Sequence, residues 1–202
     1  MRRRIFHSEA DFQFEFAWQL RELEPDVEIR LERPIRDDNQ PAINVDLMAK
    51  LDGRWIAIEL KYVTAKLNYV VNGEIFSLTG QSAQDVRRYD IVKDVSRVES
   101  LVASGVAAEG HSVTLTNDPS LWQASSRQDT VDAAFRLHDG HSISGSIGWT
   151  ELAGRGTTRG REATIQLAGR YVFDWEEYST VESERNGRFR SLTISVQADE
   201  LC

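Results

Sequence analysis

The dipeptide Asp52-Gly53 constrains this chain more than any other short feature. It sits in the stretch 44–61, NVDLMAKLDGRWIAIELK, between two runs in which apolar residues alternate. Alternation with period two predicts strands, because successive side chains point to opposite faces. An Asp-Gly pair between them predicts a two-residue hairpin, since a type I′ turn needs positive φ at both central residues. The turn sets the pairing: Leu51 faces Arg54, Asp46 faces Glu59 and Asn44 faces Lys61.

That register sorts the side chains. One face carries Ile43, Val45, Leu47 and Ala49 with Ile56, Ile58, Leu60 and Tyr62, an unbroken apolar surface that fixes the pairing strongly. The other carries Asn44, Asp46 and Met48 with Ala57, Glu59 and Lys61. Two acids directly opposite one another repel unless something compensates them. A divalent cation does so, and oxygen ligands suit Mg²⁺. The alternative is a solvated face with ordinary charges, and Met48 and Ala57 beside the acids count against it.

The flanking sequence predicts a mixed α/β (α+β) core. Residues 8–23 read as a helix, with Ser8 as N-cap, Glu9 and Asp11 in the first turn, and Phe12, Phe16, Leu20 and Leu23 at helical spacing. Residues 27–32 alternate as a strand, 33–41 read as a polar loop, and 64–78 as a strand or ordered loop. A long helix is expected over 80–104, stopped by Gly105, then a strand over 111–116. The last third reads as β-rich: strands at 131–137, 143–149, 164–167, 171–175 and 189–196, with a Gly/Thr/Arg-rich loop at 154–161. The expected division is a core over 1–122 and a β-rich extension over 123–202 packed on it.

Composition excludes several classes. Among 202 residues there is one cysteine, Cys202, so no internal disulfide can form and a reducing compartment is expected. No apolar run has the length of a membrane span, and the basic N-terminus is followed at once by polar residues rather than a signal-peptide core; a cytoplasmic protein is expected. A net charge of −8 argues against a surface that is basic throughout but leaves room for a local basic groove. Only Lys50, Lys61, Lys66 and Lys93 are lysines, which makes Lys61 pointed in a chain that otherwise uses arginine.

These residues resemble the PD-(D/E)XK nuclease superfamily, whose restriction-endonuclease-like core runs helix, meander or hairpin, crossover helix, further strand. Asp46 looks like the motif aspartate and Glu59-Leu60-Lys61 like the (D/E)-X-K element; Val45 stands where the motif has proline. The resemblance covers about residues 5 to 120. It implies an endonuclease or other hydrolase of nucleic acid, DNA ahead of RNA, with Mg²⁺ as cofactor and Mn²⁺ as a substitute. It also implies that Asp46, Glu59 and the Leu60 carbonyl hold the metal, and that Lys61 holds the attacking water or neutralises the phosphate. Glu9, preferred over Glu15 because Gln13 faces the same way one turn on, extends the metal shell. Gln81 and Arg88 on the crossover helix are candidates for phosphate contacts, with Arg155 and Arg159 further off; Asp85 and Tyr89 are secondary, and capping or surface charge is the ordinary reading of Asp85. Trp149, Trp175 and Tyr178 could stack bases, although core packing is the better expectation. His138 and His141 bracket a loop turn. A homodimer or partner proteins of a larger system are compatible with all of this. A non-catalytic nuclease-like module that binds nucleic acid or another protein, and an immunity or assembly protein, are the competing classes.

Overall fold

The computed structural model describes residues 3–37, 40–181, 185–198 and 201; Cys202 lies outside them. Helix α1 (Glu9–Leu23) begins as its sequence predicts, the Ser8 hydroxyl accepting the Asp11 N–H. Strands β1 (Glu28–Asp37), β2 (Gln40–Leu51) and β3 (Arg54–Val63) form a meander. A hairpin of β4 (Leu67–Val71) and β5 (Glu74–Leu78) precedes helix α2 (Gln84–Ala103), which crosses to β6 (Glu109–Thr116). Beyond it come α3 (Pro119–Trp122), a 3₁₀ turn at Ala133–Phe135, β7 (Ser142–Ile147), α4 (Arg155–Thr158), β8 (Ile165–Val172), β9 (Trp175–Thr180) and β10 (Arg188–Gln197).

The main sheet has six strands in the order β1-β2-β3-β6-β10-β9. It is mixed: β3 and β6 run parallel, as a crossover helix between them requires, and the other pairs are antiparallel. Residues beyond 122 thus complete the sheet through β9 and β10, and add the β7–β8 hairpin as a separate two-stranded sheet. Helix α1 and the β4–β5 hairpin bury Phe12, Leu47, Ile58, Leu60, Tyr62 and Phe76 on one face. Helix α2 and the β7–β8 hairpin bury Met48, Ala57, Val95, Val98, Ile165 and Ile194 on the other. The helix approaches β6 closely only because Gly110 lacks a side chain. A Cβ there would lie 2.3 Å from Val98 Cγ1.

Several expectations need correcting. The stretch 33–41 is not a loop: β1 and β2 continue as a paired ribbon up to Asp37 and Gln40, and Pro34 is tolerated because β1 is an edge strand. Asp38 and Asn39, within the expected loop, lie outside the described residues. Segment 64–78 is a hairpin turning at Asn72-Gly73, both at positive φ. Helix α2 starts at Gln84, after Ala83 in a left-handed conformation, rather than at 80. Residues 131–137 are not a strand; the Arg136 guanidinium folds back onto the Arg127 and Gln128 carbonyls, and Phe135 packs against both Tyr89 and Trp149. The stretches 164–167 and 171–175 are not two strands but one, β8, which ends before β9 starts at Trp175. The 154–161 loop contains the short helix α4.

Candidate active site

The Asp52-Gly53 turn forms as expected, with φ of 50° and 78°. From it, β2 and β3 pair from Leu51↔Arg54 to Leu47↔Ile58, and there the ladder stops. Asp46 is therefore the first β2 residue beyond the pairing, not a partner of Glu59 within it. On β1, Glu32, between the pairs Leu31↔Leu47 and Arg33↔Val45, takes φ of 49°, so the β1–β2 ladder is irregular opposite Asp46. Val45 joins Met48 in the α2-side core, and Ile43 packs there too, instead of sharing the α1 side with Leu47 and Ala49. The continuous apolar face read from the sequence breaks at Asp46.

This departure strands backbone donors on β3. In a two-residue hairpin paired as this one is, alternate residues direct their N–H groups at the partner strand, so Leu60 and Tyr62 aim theirs at the space β2 has left. Side chains fill it. Asp46 Oδ2 accepts the Leu60 N–H at 2.7 Å and Glu9 Oε2 accepts the Tyr62 N–H at 2.9 Å. The amide of Gln13, one turn on from Glu9, donates to the Asp46 carbonyl at 2.7 Å and holds β2 in its diverging path. Glu15 points elsewhere, 4.0 Å from Arg3 and accepting from Gln19.

Around these caps the charges converge. Glu59 is buried within hydrogen-bonding reach of Asp46, with only 1% of its side chain exposed. Burial first, then the nearby Asp94 and Asp46, push its carboxyl up to about 9, while Arg97 pulls the other way. Lys61 lies 3.7 Å from Glu9 Oε1 and 3.5 Å from Asp94 Oδ2. Burial works against its charge, but Asp94, Glu9, Asp46 and Glu59 together hold the ammonium above its usual range. Asp94 itself is raised by burial, which Lys61 and Arg97 only partly offset. Arg97 places one guanidinium nitrogen 3.1 Å from Glu59 Oε1 and the other 3.3 Å from Asp94 Oδ1.

Asp94 and Arg97 were not among the residues the sequence singled out. One signal was available: Asp94 falls three residues after Ile91 and four before Val98, inside the buried stripe of α2, where a carboxylate is out of place. Of the expected phosphate contacts, only Gln81 comes near. Its backbone N–H donates to the Thr64 carbonyl and its side chain to that of Tyr62, next to Lys61. Arg88 is turned away and bonds Asp132 and the Ser120 carbonyl. Arg155, on α4, and Arg159, just after it, are exposed. Asp85 accepts its neighbour's N–H at the start of α2, and the Tyr89 hydroxyl donates to Ala163. The Trp149 and Trp175 indoles donate to the Arg161 and Leu137 carbonyls, and Tyr178 to Arg3. His138 and His141 stack on each other at 4.7 Å.

The donor set fits a hard divalent cation of the Mg²⁺ kind. Glu59 Oε1 is buried and no N–H is directed at it, Arg97 being near but misaligned. Asp46 has committed one oxygen, Oδ2, to the backbone and keeps Oδ1. Among the described residues no three His, Cys, Asp or Glu side chains converge as a complete cage. The protein would thus offer two carboxylates and leave the remaining positions to water and substrate, which is how Mg²⁺ is commonly held. Leu60 contributes its N–H to Asp46 while its side chain is buried on the α1 side. A groove of about 450 Å³ lies apart from these acids, between α1 and the outer strands, lined by Phe12, Phe16, Leu115 and Tyr178.

No family model matches the chain, and neither a curated protein nor a solved structure matches it.

Proposed function

We infer that the chain is a metal-dependent nuclease of the PD-(D/E)XK kind that hydrolyses phosphodiester bonds, with DNA ahead of RNA as substrate. The observation that supports this most is the gathering of Asp46, Glu59, Lys61 and Glu9 at the point where β2 leaves β3. The order of elements fits as well: a helix, a meander, a crossover helix and a strand parallel to β3.

Asp46 and Glu59 are the residues that would hold the cation. When bound, Mg²⁺ supplies Lewis-acid activation of a water and of the phosphate. Lys61, charged and only a quarter exposed, neutralises the phosphate oxygens or orients the attacking water; a compact ammonium suits that better than a planar guanidinium. Glu9 aims Lys61 from one side and Asp94 from the other. Gln13 and the Leu60 N–H fix the Asp46 carboxylate, so the site is pre-organised by backbone contacts.

A second reading is a nuclease-like binding module without catalysis. It is favoured by the internal neutralisation of the site, in which Arg97 stands on Glu59 and Lys61 on Asp94. Cleavage assays separate the two. Purified chain is incubated with plasmid DNA, linear DNA and RNA, with Mg²⁺, Mn²⁺ or EDTA. An enzyme cleaves only with metal, and Asp46→Asn or Lys61→Ala lowers the rate more than about 100-fold, beyond what outer-shell changes at metal sites typically do. Activity that survives both substitutions comes from a contaminant, and metal-independent binding of nucleic acid without cleavage supports the module.

A further inference from the structure

The Arg97 side chain lies against Glu59, one of the two acids that would hold the cation. It reaches from α2 across to β3 and β2 and makes three attachments: Glu59 Oε1 at 3.1 Å, Asp94 Oδ1 at 3.3 Å and the Asn44 carbonyl. Asn44 lies two residues before Asp46, on the part of β2 that has left β3. The same guanidinium therefore touches one of the acids that would hold the metal and the strand that carries the other.

Its fit is imperfect in a specific way. Arg97 Nε is buried with no partner, and Glu59 Oε1 is buried with no N–H aimed at it although Arg97 is adjacent. Well-made buried arginine–carboxylate pairs are bidentate and leave no such orphans. Here the guanidinium stands against the carboxyl but the hydrogen bond between them is not made. An ordinary structural ion pair tying α2 to the sheet would hold the guanidinium here, but it would be expected to donate to the carboxyl oxygen it touches. A quarter of the Arg97 side chain is exposed, so it has a way out towards solvent.

We propose that Arg97 is a resident counter-ion for Glu59 and that its contact with Glu59 and the binding of a divalent cation there are mutually exclusive. The proposal rests on the metal-site reading given above. Arg97 keeps Glu59 from standing as an unpaired buried acid in the metal-free protein, and its withdrawal accompanies loading of the metal. It is a positioning residue: it sets how readily Glu59 becomes a ligand and touches no substrate. Exchange of one cation for another also loosens the Asn44 attachment, so metal binding is coupled to the diverging ribbon of β1 and β2.

The test is Mn²⁺ affinity by calorimetry on the full chain, for the natural protein and for Arg97→Gln, Arg97→Lys and Asp46→Asn. Removing a competitor tightens binding, and Arg97→Gln is expected to bind Mn²⁺ about tenfold more tightly or better, within the range that close charge pairs produce. Arg97→Lys separates competition from general charge repulsion. It retains the charge but loses the fork that reaches both Glu59 and Asn44. Competition makes it resemble Arg97→Gln, while simple repulsion leaves it like the natural protein and overturns the proposal. NMR of the arginine side-chain N–H groups during Mg²⁺ titration gives a reading that does not depend on Arg97→Gln folding. The resonance assigned to Arg97 by its absence in Arg97→Lys is expected to shift and sharpen as the side chain is freed, and an unchanged resonance at saturating Mg²⁺ overturns the proposal. If the natural protein binds Mn²⁺, Asp46→Asn abolishes it and Arg97→Gln leaves it unchanged, the counter-ion role fails and the metal site stands. If none of the proteins binds Mn²⁺, both fail.

Discussion

The two halves of the β2–β3 ribbon follow opposite rules. Near the turn, from Leu51↔Arg54 to Leu47↔Ile58, the strands bond to each other and, Lys50 and Arg54 apart, most side chains are packed apolar groups. Beyond Asp46 the strands separate, and the N–H groups of Leu60 and Tyr62 are taken by carboxylates. The first half is held by burial and a regular ladder. The second is held by charged side chains that also surround a buried Glu59 whose Oε1 accepts no hydrogen bond. Sites able to do chemistry form where regular pairing ends, because there the backbone must recruit polar side chains to satisfy its donors.

The comparison can be broken at either half. The largest stability effect is expected in the paired half: Leu47→Ala, at a fully buried position, should lower unfolding free energy by about 2–5 kcal/mol in urea titrations. In the open half, Glu59 gives a pH dependence instead. Its carboxyl is raised from 4.5 to about 9 by burial and by Asp94, so the folded state holds a proton that the unfolded chain releases. That contribution is complete below about pH 4.5 and is lost as pH rises towards 9, by about 1.4 kcal/mol per pH unit within the window. Glu59→Gln should flatten the profile measured by denaturation in EDTA, be the more stable protein at pH 8, and have no nuclease activity. A profile unchanged by Glu59→Gln would mean that Glu59 carries its charge in the folded protein.

Asp46 comes next. Asp46→Ala leaves the Leu60 N–H without its acceptor and should destabilise by about 1–3 kcal/mol, whereas Asp46→Asn keeps an acceptor and should unfold near the natural midpoint, both being inactive. Equal stabilities for the two would show that the capping bond contributes nothing. Glu9→Gln should have the smallest effect, within about 1 kcal/mol, because its side chain is half exposed and an amide oxygen can still accept from Tyr62.

Much of the paired half could be read from the chain directly. Asp52-Gly53 fixed the turn, and alternation placed Leu47 against Ile58 and Met48 against Ala57. Ser8 and Gly105 marked helix ends that the structure has, and the strand expected at 111–116 is β6 with two residues added in front. The Asn72-Gly73 pair is an equally strong hairpin signal, and the β4–β5 hairpin turns there. The break at Asp46 is not legible for a physical reason: it coincides with a left-handed Glu32 on the neighbouring strand, a residue type with no preference for that conformation. For the site, one face of the hairpin placed Asp46, Glu59 and Lys61 together, and the choice of Glu9 over Glu15 put an acid beside Lys61. Asp94 and Arg97 depend on how α2 lies across β6, which turns on the missing side chain of Gly110. Arg88 is drawn off by Asp132, which lies beside a 3₁₀ turn where alternation predicts a strand.

The caps on Leu60 and Tyr62 also bear on how descendants of such a chain would diverge. Asp46 and Glu9 each close a backbone gap, so a copy without any activity would still gain stability from an acceptor at each position. Lys61 is tied only to other side chains among the described residues and carries no such obligation. In a lineage of this chain, the lysine would drift first once activity was no longer selected, and it would report on a working enzyme where the acids would not.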